Sequence, residues 1–367
     1  MSESLTPEPP KSGSPGAPLR LAIATPLPPE AEAVLRAEPR IELLFDAELL
    51  PPQRYPSDHW GDPTFVRTAD QEARLDALLS RADAVYGVPG ESPGQLARVC
   101  APGVRWVALT AAGGGSLVGR ARALGATGLD DAVLERVAFT TSAGVHARPL
   151  AEFALMGLLS GFQRVPALRA DQASHRWGER GPFPVSLRGA RILILGLGHL
   201  GRELAGLLRA LGAHVTGTSR TERHSSHADA VVHPDRLAEA AARADALVVT
   251  LPGTELTRHM VSREVLEALP SGTVVVNIGR GTVIDEAALT ELLASRHLGF
   301  AALDVFEQEP LPSNSGLWDL DNVLVSPHCA TMNRDEDRLI AELLVDNARR
   351  LLNGEELRNR VNTHEFY

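Results

Sequence analysis

The chain has 367 residues, enough for two domains with sizeable cores, and 44% of them are hydrophobic while 22% are charged, as is ordinary for a soluble protein. Its net charge is −10 and no block of Lys or Arg occurs, which argues against sequence-independent nucleic-acid binding. No apolar run approaches the length of about eighteen residues that a membrane span needs. We therefore expect neither a nucleic acid nor a membrane as a partner.

The first residues and the cysteines bear on order and compartment. Residues 1–18 are rich in Pro, Ser, Gly and Glu and lack the basic start and apolar centre of a secretory signal, which predicts a disordered tail. The two cysteines, Cys100 and Cys329, are too few for a disulfide framework. We expect a cytoplasmic protein and predict no metal site.

From Leu19 onward, short apolar runs alternate with helical stretches in two successive series. The first series contains LRLAIAT, ADAVYGV, VRWVAL and VAFTTS, with PEAEAVLRAE and DQEARLDALLSRA as helices. The second series begins at Arg188 and contains ARILILG, HVTGTS, ADALVVTL, GTVVVNIG, FAALDVF and NVLVSPH. Such alternation is typical of parallel sheets with covered faces. The predicted fold class is α/β, with two Rossmann-like or flavodoxin-like domains.

Two helices frame the second series. Between the series, Leu150, Leu158 and Phe162 belong to one apolar face at helical spacing, and this pattern predicts a long helix reaching towards Trp177. The last helix is predicted to start with Asn333 and Glu336, spaced like an N-terminal capping pair, and to stop near Gly354.

The stretch ARILILGLGHLGRELAGLL contains a G-x-G-x-x-G motif between a strand-like run and a helix. Gly196 permits a tight turn, Gly198 lets the backbone approach a pyrophosphate, and Gly201 lets the helix pack on the strand. The amides near His199 and Leu200 then face the anion. The motif predicts a dinucleotide site; a glycine-rich turn without a ligand is the alternative.

About twenty residues after such a turn, the usual pattern has an acid that holds the ribose hydroxyls. This chain has HVTGTSRTERH there, with Thr218, Ser219 and Arg220 in place of an acid and a further hydroxyl at Thr221. A guanidinium offers a planar fork of donors suited to phosphate. This favours NADP(H). The alternative is that Arg220 is a solvated residue stacking on adenine, with NAD(H) accepted as well.

Three later motifs place reactive side chains after predicted strands. VVVNIGRGTVIDEAAL contributes Arg280, FAALDVFEQEPLP contributes Asp304, Glu307 and Glu309, and NVLVSPHCATMN contributes His328. Ligands bind at the carboxyl ends of such strands, an Arg can hold a carboxylate bidentately, and a His with a carboxylate partner can donate a proton. Taken singly, each residue has a structural alternative.

The order and spacing of GLGHLG, NIGRGTVIDEAAL, ALDVFEQEPLP and LVSPH resemble the D-isomer-specific 2-hydroxyacid dehydrogenase family, which includes glyoxylate/hydroxypyruvate reductases. The resemblance covers nearly everything from Arg105 to the C-terminus. It implies an oxidoreductase that reduces a 2-oxo acid to the D-2-hydroxy acid, or the reverse, by hydride transfer. It further implies Arg280, Glu309 and His328 as the catalytic set, in a cleft between the domains.

The same resemblance implies other roles. Asp304 would lie against the nicotinamide, while Thr250, Leu251, Pro252 and Ile278 would line the cofactor. Backbone amides in WVALTAAGGG would hold the substrate carboxylate together with Arg280, and they belong to Ala112, Gly113 and Gly114. The implied domains are a substrate-binding domain, residues 19–142 plus 328–367, and a dinucleotide-binding domain, residues 143–327. Members are usually homodimers, with the helix around residues 150–177 reaching the partner.

Two departures from the family pattern bear on the site, and four other functions were weighed. Gly113–Gly114–Gly115 replaces the frequent Gly-Val-Asp, which leaves substrate size open, and Cys329 beside His328 is either an oxidisable thiol or a small filler. A hydrolase elbow at residues 90–94 is rejected, because Pro93 has no N–H for an oxyanion. A non-catalytic NAD(P)-sensing protein resembling the C-terminal-binding-protein corepressors is the main alternative. Formate oxidation is disfavoured by Glu309, and phosphite oxidation stays open. The sequence does not identify the acid.

Overall fold

The computed structural model describes residues 17–125, 129–178, 184–221 and 224–363. It divides the chain into two compact units: unit 1 is Met1–Ser142 with Arg334–Tyr367, and unit 2 is Ala143–Asn333. Of the predicted tail, all but the last two residues lie outside the described residues. Within the described ranges, no helix is both long and apolar enough to cross a membrane.

The second crossing between the units differs from the predicted one. We predicted it before His328, whereas the structure has it after Asn333. The backbone N–H groups of Cys329 and Ala330 donate to the Asp304 carboxylate at 2.9 and 3.1 Å, and Asp304 belongs to unit 2. These bonds keep His328 and the residues that follow it with unit 2.

Unit 1 is built on a five-stranded parallel sheet in the order β2-β1-β3-β4-β5. Trp106 and Phe139 are fully buried in its core, because helices cover the sheet. The strand β2 was not predicted. The strands are β1 (Leu19–Ile23), β2 (Ile41–Leu44), β3 (Ala84–Tyr86), β4 (Trp106–Ala108) and β5 (Ala138–Thr140); the helices are α1 (Pro29–Arg36), α2 (Ala69–Ser80), α3 (Leu96–Val99), α4 (Gly115–Ala123), α5 (Asp131–Arg136) and α12 (Glu336–Asn353).

The start of α12 differs from the predicted capping pair. The helix begins at Glu336, and its N-cap residue Asp335 makes no side-chain cap hydrogen bond, so the prediction of Asn333 as the cap was wrong. The Glu336 and Asp337 side chains are instead buried and bind the loop at residues 50–62. The predicted end is confirmed, since Gly354 closes the helix in the left-handed region at φ +72°.

Unit 2 is built on a seven-stranded parallel sheet in the order β12-β11-β10-β9-β6-β7-β8. The order reverses at β6, so the switch point at which such sheets bind ligands lies between β6 and β9. The edge strand β8 was not predicted. The strands are β6 (Arg191–Leu195), β7 (His214–Thr218), β8 (Ala230–Val232), β9 (Ala246–Val249), β10 (Val274–Asn277), β11 (Phe300–Leu303) and β12 (Val323–Val325); the helices are α6 (Ala147–Phe162), α7 (Val165–Ala173), α8 (His199–Ala210), α9 (Leu237–Ala241), α10 (Arg263–Ala268) and α11 (Glu286–Ala294).

The long helix predicted over residues 150–177 is two helices. The first ends at Phe162, and the chain turns at Arg164, whose φ of +56° is left-handed, before α7 starts. Pro166 in the first turn of α7 lacks the N–H that would continue α6. Trp177 lies beyond α7 and is fully exposed.

Two glycines of α8 form a matched pair for a stability test. A Cβ at Gly201 would lie 1.9 Å from the carbonyl oxygen of Gly196, whereas a Cβ at Gly206 would have no heavy atom within 4 Å. We expect Gly201→Ala to lower the free energy of unfolding of unit 2 by about 1–3 kcal/mol through overpacking. Gly206→Ala should raise it by about 0.5–1 kcal/mol, because alanine loses less backbone entropy in a helix. Urea denaturation followed by circular dichroism measures both, and equal stabilities of the two variants would contradict the close approach at Gly201.

Candidate functional site

The glycine turn connects β6 to α8 at the switch point of the large sheet. Gly196 has a φ of +102°, in the region that favours glycine, and a Cβ there would lie 2.8 Å from Leu251 Cδ2. Gly201 allows the helix to approach the strand, as described above. A Cβ at Gly198 would meet nothing within 4 Å, so this side of the turn is open to a ligand. The turn therefore has the shape that a pyrophosphate needs.

Two threonines brace the turn. The Thr250 hydroxyl, at the end of β9, donates to the carbonyl oxygens of Leu195 and Gly196, both at 2.8 Å. The Gly196 N–H donates to Thr218 Oγ1 at 3.0 Å. Thr250 was predicted to line the cofactor and is placed against the turn. Thr218 was noted at the position of the missing acid, but its contact with the turn was not predicted.

The other predicted cofactor residues lie at the ends of β9 and β10. Leu251 packs against the turn, and its backbone leaves no room for a side chain at Gly279, where a Cβ would lie 2.5 Å from Leu251 O. The carbonyl of Pro252 accepts the Thr257 hydroxyl at 2.6 Å. Ile278 is buried.

The first amides of α8 lie at the predicted pyrophosphate site. In the described part of the chain, the N–H groups of His199 and Leu200 have no acceptor, and the first bond of the helix runs from Arg202 N–H to Gly198 O at 2.9 Å. Unpaired amides at a helix N-terminus carry a positive partial charge. The residues present therefore fit a bound pyrophosphate.

The residues after β7 are those that the sequence predicts to bind a 2′-phosphate. Arg220 is exposed and makes no hydrogen bond or ion pair with any residue that the structure describes. Ser219 N–H bonds to Val232 O at 3.1 Å, and Ser219 Oγ accepts the Thr221 N–H at 3.3 Å. The guanidinium is thus available next to a fixed hydroxyl.

The sheet brings Glu309 and His328 together. His328 Nδ1 lies 2.7 Å from Glu309 Oε2, and Glu309 Oε1 accepts the Phe306 N–H at 3.0 Å. The side chains are 42% and 35% exposed. With Nδ1 donating to the carboxylate, Nε2 is the ring atom left for chemistry, and it has no partner within the described residues.

Arg280 follows β10, which neighbours β11. Its side chain is exposed, and Nη1 donates to Gly279 O at 2.7 Å. The Asn277 amide braces the loop, because it donates to Arg280 O and accepts from Gly279 N–H, both at 3.1 Å. A Cβ at Gly281 would lie 1.8 Å from the carbonyl carbon of Phe306, so the Arg280 loop touches the loop that carries Glu309. The predicted catalytic side chains thus extend from three adjacent strand ends of unit 2.

Asp304 holds the segment that carries His328. Its carboxylate is buried and accepts the Ser326 hydroxyl at 2.5 Å, besides the N–H groups of Cys329 and Ala330. His328 itself has a left-handed backbone, with φ +53°. Asp304 therefore fixes the chain on both sides of His328, and Cys329 is part of this framework.

A second histidine–glutamate pair was missed by sequence reasoning. His259 Nε2 lies 2.6 Å from Glu307 Oε1, and the Glu307 N–H donates to Glu286 Oε2 at 2.9 Å. The sequence contains no local signal for this pair, because His259 precedes Glu307 by 48 positions. Glu307 and Glu309 thus bind different histidines.

In unit 1, the loop after β4 offers open amides. Ala112 and Gly113 are exposed, and their N–H groups have no acceptor in the described ranges, whereas the Gly114 N–H donates to Ala111 O at 3.2 Å. Two of the three predicted carboxylate-binding amides are therefore open. A Cβ at Gly114 would lie 2.8 Å from Leu109 Cβ, which accounts for the glycine at this position.

A cluster next to this loop was also missed. Glu91 Oε2 accepts the Trp60 indole N–H at 3.0 Å, and Glu91 Oε1 accepts the Thr110 hydroxyl. Glu91 lies in the stretch that resembles a hydrolase elbow, yet it is Glu91 and not Ser92 that has a left-handed backbone, at φ +46°. Glu91 follows β3 closely in the sequence, and this position after a strand is the signal that could have indicated a site residue.

Comparisons with known proteins agree with this geometry. Residues 155–330 match the family model described as "D-isomer specific 2-hydroxyacid dehydrogenase, NAD binding domain". The chain is 32% identical over 221 residues to (S)-sulfolactate dehydrogenase of Chromohalobacter salexigens, which covers 59% of this chain and 70% of that protein. It is 31% identical over 299 residues to glyoxylate/hydroxypyruvate reductase B of Yersinia pestis, which covers 80% of this chain and 88% of that protein.

A solved structure extends the similarity to nearly the whole chain. The D-isomer-specific 2-hydroxyacid dehydrogenase of Xanthobacter autotrophicus, crystallised with NADPH and MES, has a TM-score of 0.73 and 30% identity. The match covers 96% of this chain and 100% of that one. Together with the relatives and the shared motifs, it shows that the chain belongs to the D-isomer-specific 2-hydroxyacid dehydrogenase family and is an NAD(P)-dependent dehydrogenase of 2-hydroxy acids.

Proposed function

We propose that this protein reduces a 2-oxo acid to the D-2-hydroxy acid with NADP(H), or catalyses the reverse reaction. The observation that carries the proposal is the 2.7 Å contact between His328 Nδ1 and Glu309 Oε2, which leaves Nε2 for proton transfer at the edge where Arg280 also lies. The similarity to a glyoxylate/hydroxypyruvate reductase supports the direction of reduction.

Each member of the set has a distinct role in this proposal. When bound, the reduced nicotinamide supplies the hydride for the carbonyl carbon. Arg280 binds the substrate carboxylate and polarises the carbonyl oxygen. Protonated His328 donates its Nε2 proton to that oxygen, which completes the hydroxyl group. Glu309 fixes the tautomer of the ring and stabilises its charged form.

We propose that the open amides of Ala112 and Gly113 bind the substrate carboxylate. Two successive amides that lack acceptors in the described ranges, just before the N-cap residue of the nine-residue helix α4, suit an anion. The Gly114 N–H already donates to Ala111 O, so Gly114 would contribute mainly through its lack of a side chain. Asp304 is proposed to lie against the nicotinamide.

NADP(H) is the favoured cofactor, with NAD(H) as the alternative. The open amides of His199 and Leu200 fit the pyrophosphate. Arg220, which has no partner among the described residues, fits a 2′-phosphate together with Ser219 and Thr221. The NADPH bound to the Xanthobacter relative supports this choice.

We also propose a homodimer and a cytoplasmic location. Several apolar side chains on α6 and α7 are exposed, among them Met156 at 43% and Leu168 at 62%, and a partner would cover them. Both cysteines are free, which suits a reducing compartment. Light scattering of the purified protein would test the dimer.

Cofactor preference is tested by Arg220→Ala. We expect NADPH to bind wild type at least about tenfold more tightly than NADH, and the variant to lose this difference, because the guanidinium forms charge-assisted bonds to the 2′-phosphate. Fluorescence titration with both nucleotides measures it. Arg263→Ala is the matched control, since Arg263 is exposed and ion-paired with Glu291 at 2.7 Å on another helix. Equal binding of both nucleotides by wild type and Arg220→Ala would reject the phosphate site.

The role of Glu309 is tested by Glu309→Gln. A neutral amide stabilises the imidazolium less than a carboxylate does, so the pH–rate profile of reduction should move to lower pH and activity at neutral pH should fall. Initial rates between about pH 5 and 9 measure the shift, since free histidine titrates within this range. Glu307→Gln is the control, because Glu307 binds His259. If the Glu309→Gln profile matches that of wild type, Glu309 does not assist His328.

A further inference from the structure

We infer that Glu91 restricts the substrate to 2-oxo acids whose side chain carries no second negative charge. The inference rests on the proposed function and concerns the same substrate. The number of negative charges distinguishes the substrates that the relatives' names give. Sulfolactate carries a sulfonate besides its carboxylate, whereas glyoxylate and hydroxypyruvate carry one negative charge.

Glu91 lies at the ligand-binding edge of the small sheet. The strand order β2-β1-β3-β4-β5 reverses at β1, so the switch point of this parallel sheet is between β1 and β3. Glu91 follows β3, and its bond to the Thr110 hydroxyl connects it to the residue that starts the loop with the open amides of Ala112 and Gly113. A substrate carboxylate on those amides would place its side chain within range of the Glu91 charge.

The hydrogen bonds of Glu91 favour its ionised form. The Trp60 indole N–H can only donate, and the Thr110 hydroxyl donates to the other oxygen, so both carboxyl oxygens act as acceptors. Burial raises the pKa of Glu91 above its ordinary value, and the charge of His59, the Trp60 N–H and the charge of Arg120 offset only part of this rise. These contacts hold the carboxylate in one position, so the place of its negative charge is fixed.

Most cations near this edge are already paired. The Arg54 guanidinium binds the buried Asp58 carboxylate at 2.7 and 2.9 Å. His59 Nε2 lies 3.3 Å from Glu336 Oε1. Burial lowers the pKa of His59, but Glu336, together with Asp337, raises it above its ordinary value.

Arg120, on α4, is the remaining cation whose charge acts on Glu91. Its side chain is exposed, and water screens exposed charges. The Glu91 carboxylate is held by two hydrogen bonds, whereas the Arg120 guanidinium has no partner among the described residues that would fix its position. Among the described residues of this cluster, the charged group that hydrogen bonds hold in place is the Glu91 carboxylate. We therefore expect it to repel a second anion on the substrate.

Trp60 adds an apolar surface to the cluster. Its ring is 62% exposed, although its N–H is fixed by Glu91, and Thr25 Oγ1 donates to the carbonyl of the preceding His59 at 2.5 Å. The loop at residues 50–62 therefore presents a held indole beside Glu91. An uncharged substrate side chain can pack on this ring.

The test compares oxaloacetate with its 4-amide, which has nearly the same shape and one negative charge fewer. The proteins are wild type, Glu91→Gln and Glu135→Gln, the last being the same change at an exposed carboxylate of α5. Glutamine can keep both bonds, because its amide oxygen accepts from Trp60 and its NH2 group donates to the Thr110 hydroxyl. The readout is kcat/KM for each acid with NADPH.

We expect wild type and Glu135→Gln to prefer the amide by about tenfold or more, and Glu91→Gln to lose most of this preference. The wild-type preference by itself tests the sign of the effect and needs no variant.

An amide preference that is equal in wild type and Glu91→Gln overturns the inference, while reduction of glyoxylate leaves the proposed function standing. A wild-type preference for oxaloacetate overturns it as well. If wild type reduces none of the 2-oxo acids, glyoxylate and hydroxypyruvate included, the proposed function fails and the inference fails with it.

Discussion

Every pairing between the named strands of both sheets is parallel, and this constraint determines where function can lie. Parallel strands need crossover connections, so all strands of one sheet end at the same edge. In unit 2, the glycine turn, Arg280, Glu309 and His328 all lie at that edge. Along the chain, Gly196 and His328 are 132 positions apart. In unit 1, it collects Glu91 and the open amides after β4.

The position of His328 depends on a balance between two unfavourable features. A left-handed backbone at a residue other than glycine costs about 1–3 kcal/mol, and a buried carboxylate is costly unless it accepts hydrogen bonds. Asp304 accepts the Ser326 hydroxyl and two backbone N–H groups around His328. The same bonds satisfy the acid and hold the strained backbone, so neither feature would be stable without the other.

Sequence reasoning succeeded where the signal is local and failed where it is not. The apolar runs gave ten of the strands, and the glycine turn stands between β6 and α8 as its spacing predicted. The missed strands β2 and β8 are short and lie at sheet edges, where fewer apolar residues are needed. The pairs Trp60–Glu91 and His259–Glu307 span 31 and 48 positions, and no pattern within one element can indicate such contacts.

Unit 1 is discontinuous in sequence, and this has a consequence for the order of folding during synthesis. The loop at residues 50–62 is held by Glu336 and Asp337, which are made some 280 positions later. Domains fold as their residues leave the ribosome, so unit 2 has its full sequence before α12 exists. The five strands of unit 1 are therefore synthesised before all of unit 2, and α12 is added to them only afterwards. Until then, the loop that carries Trp60 lacks its anchor, and a nascent chain could bind nucleotide before it could select an acid.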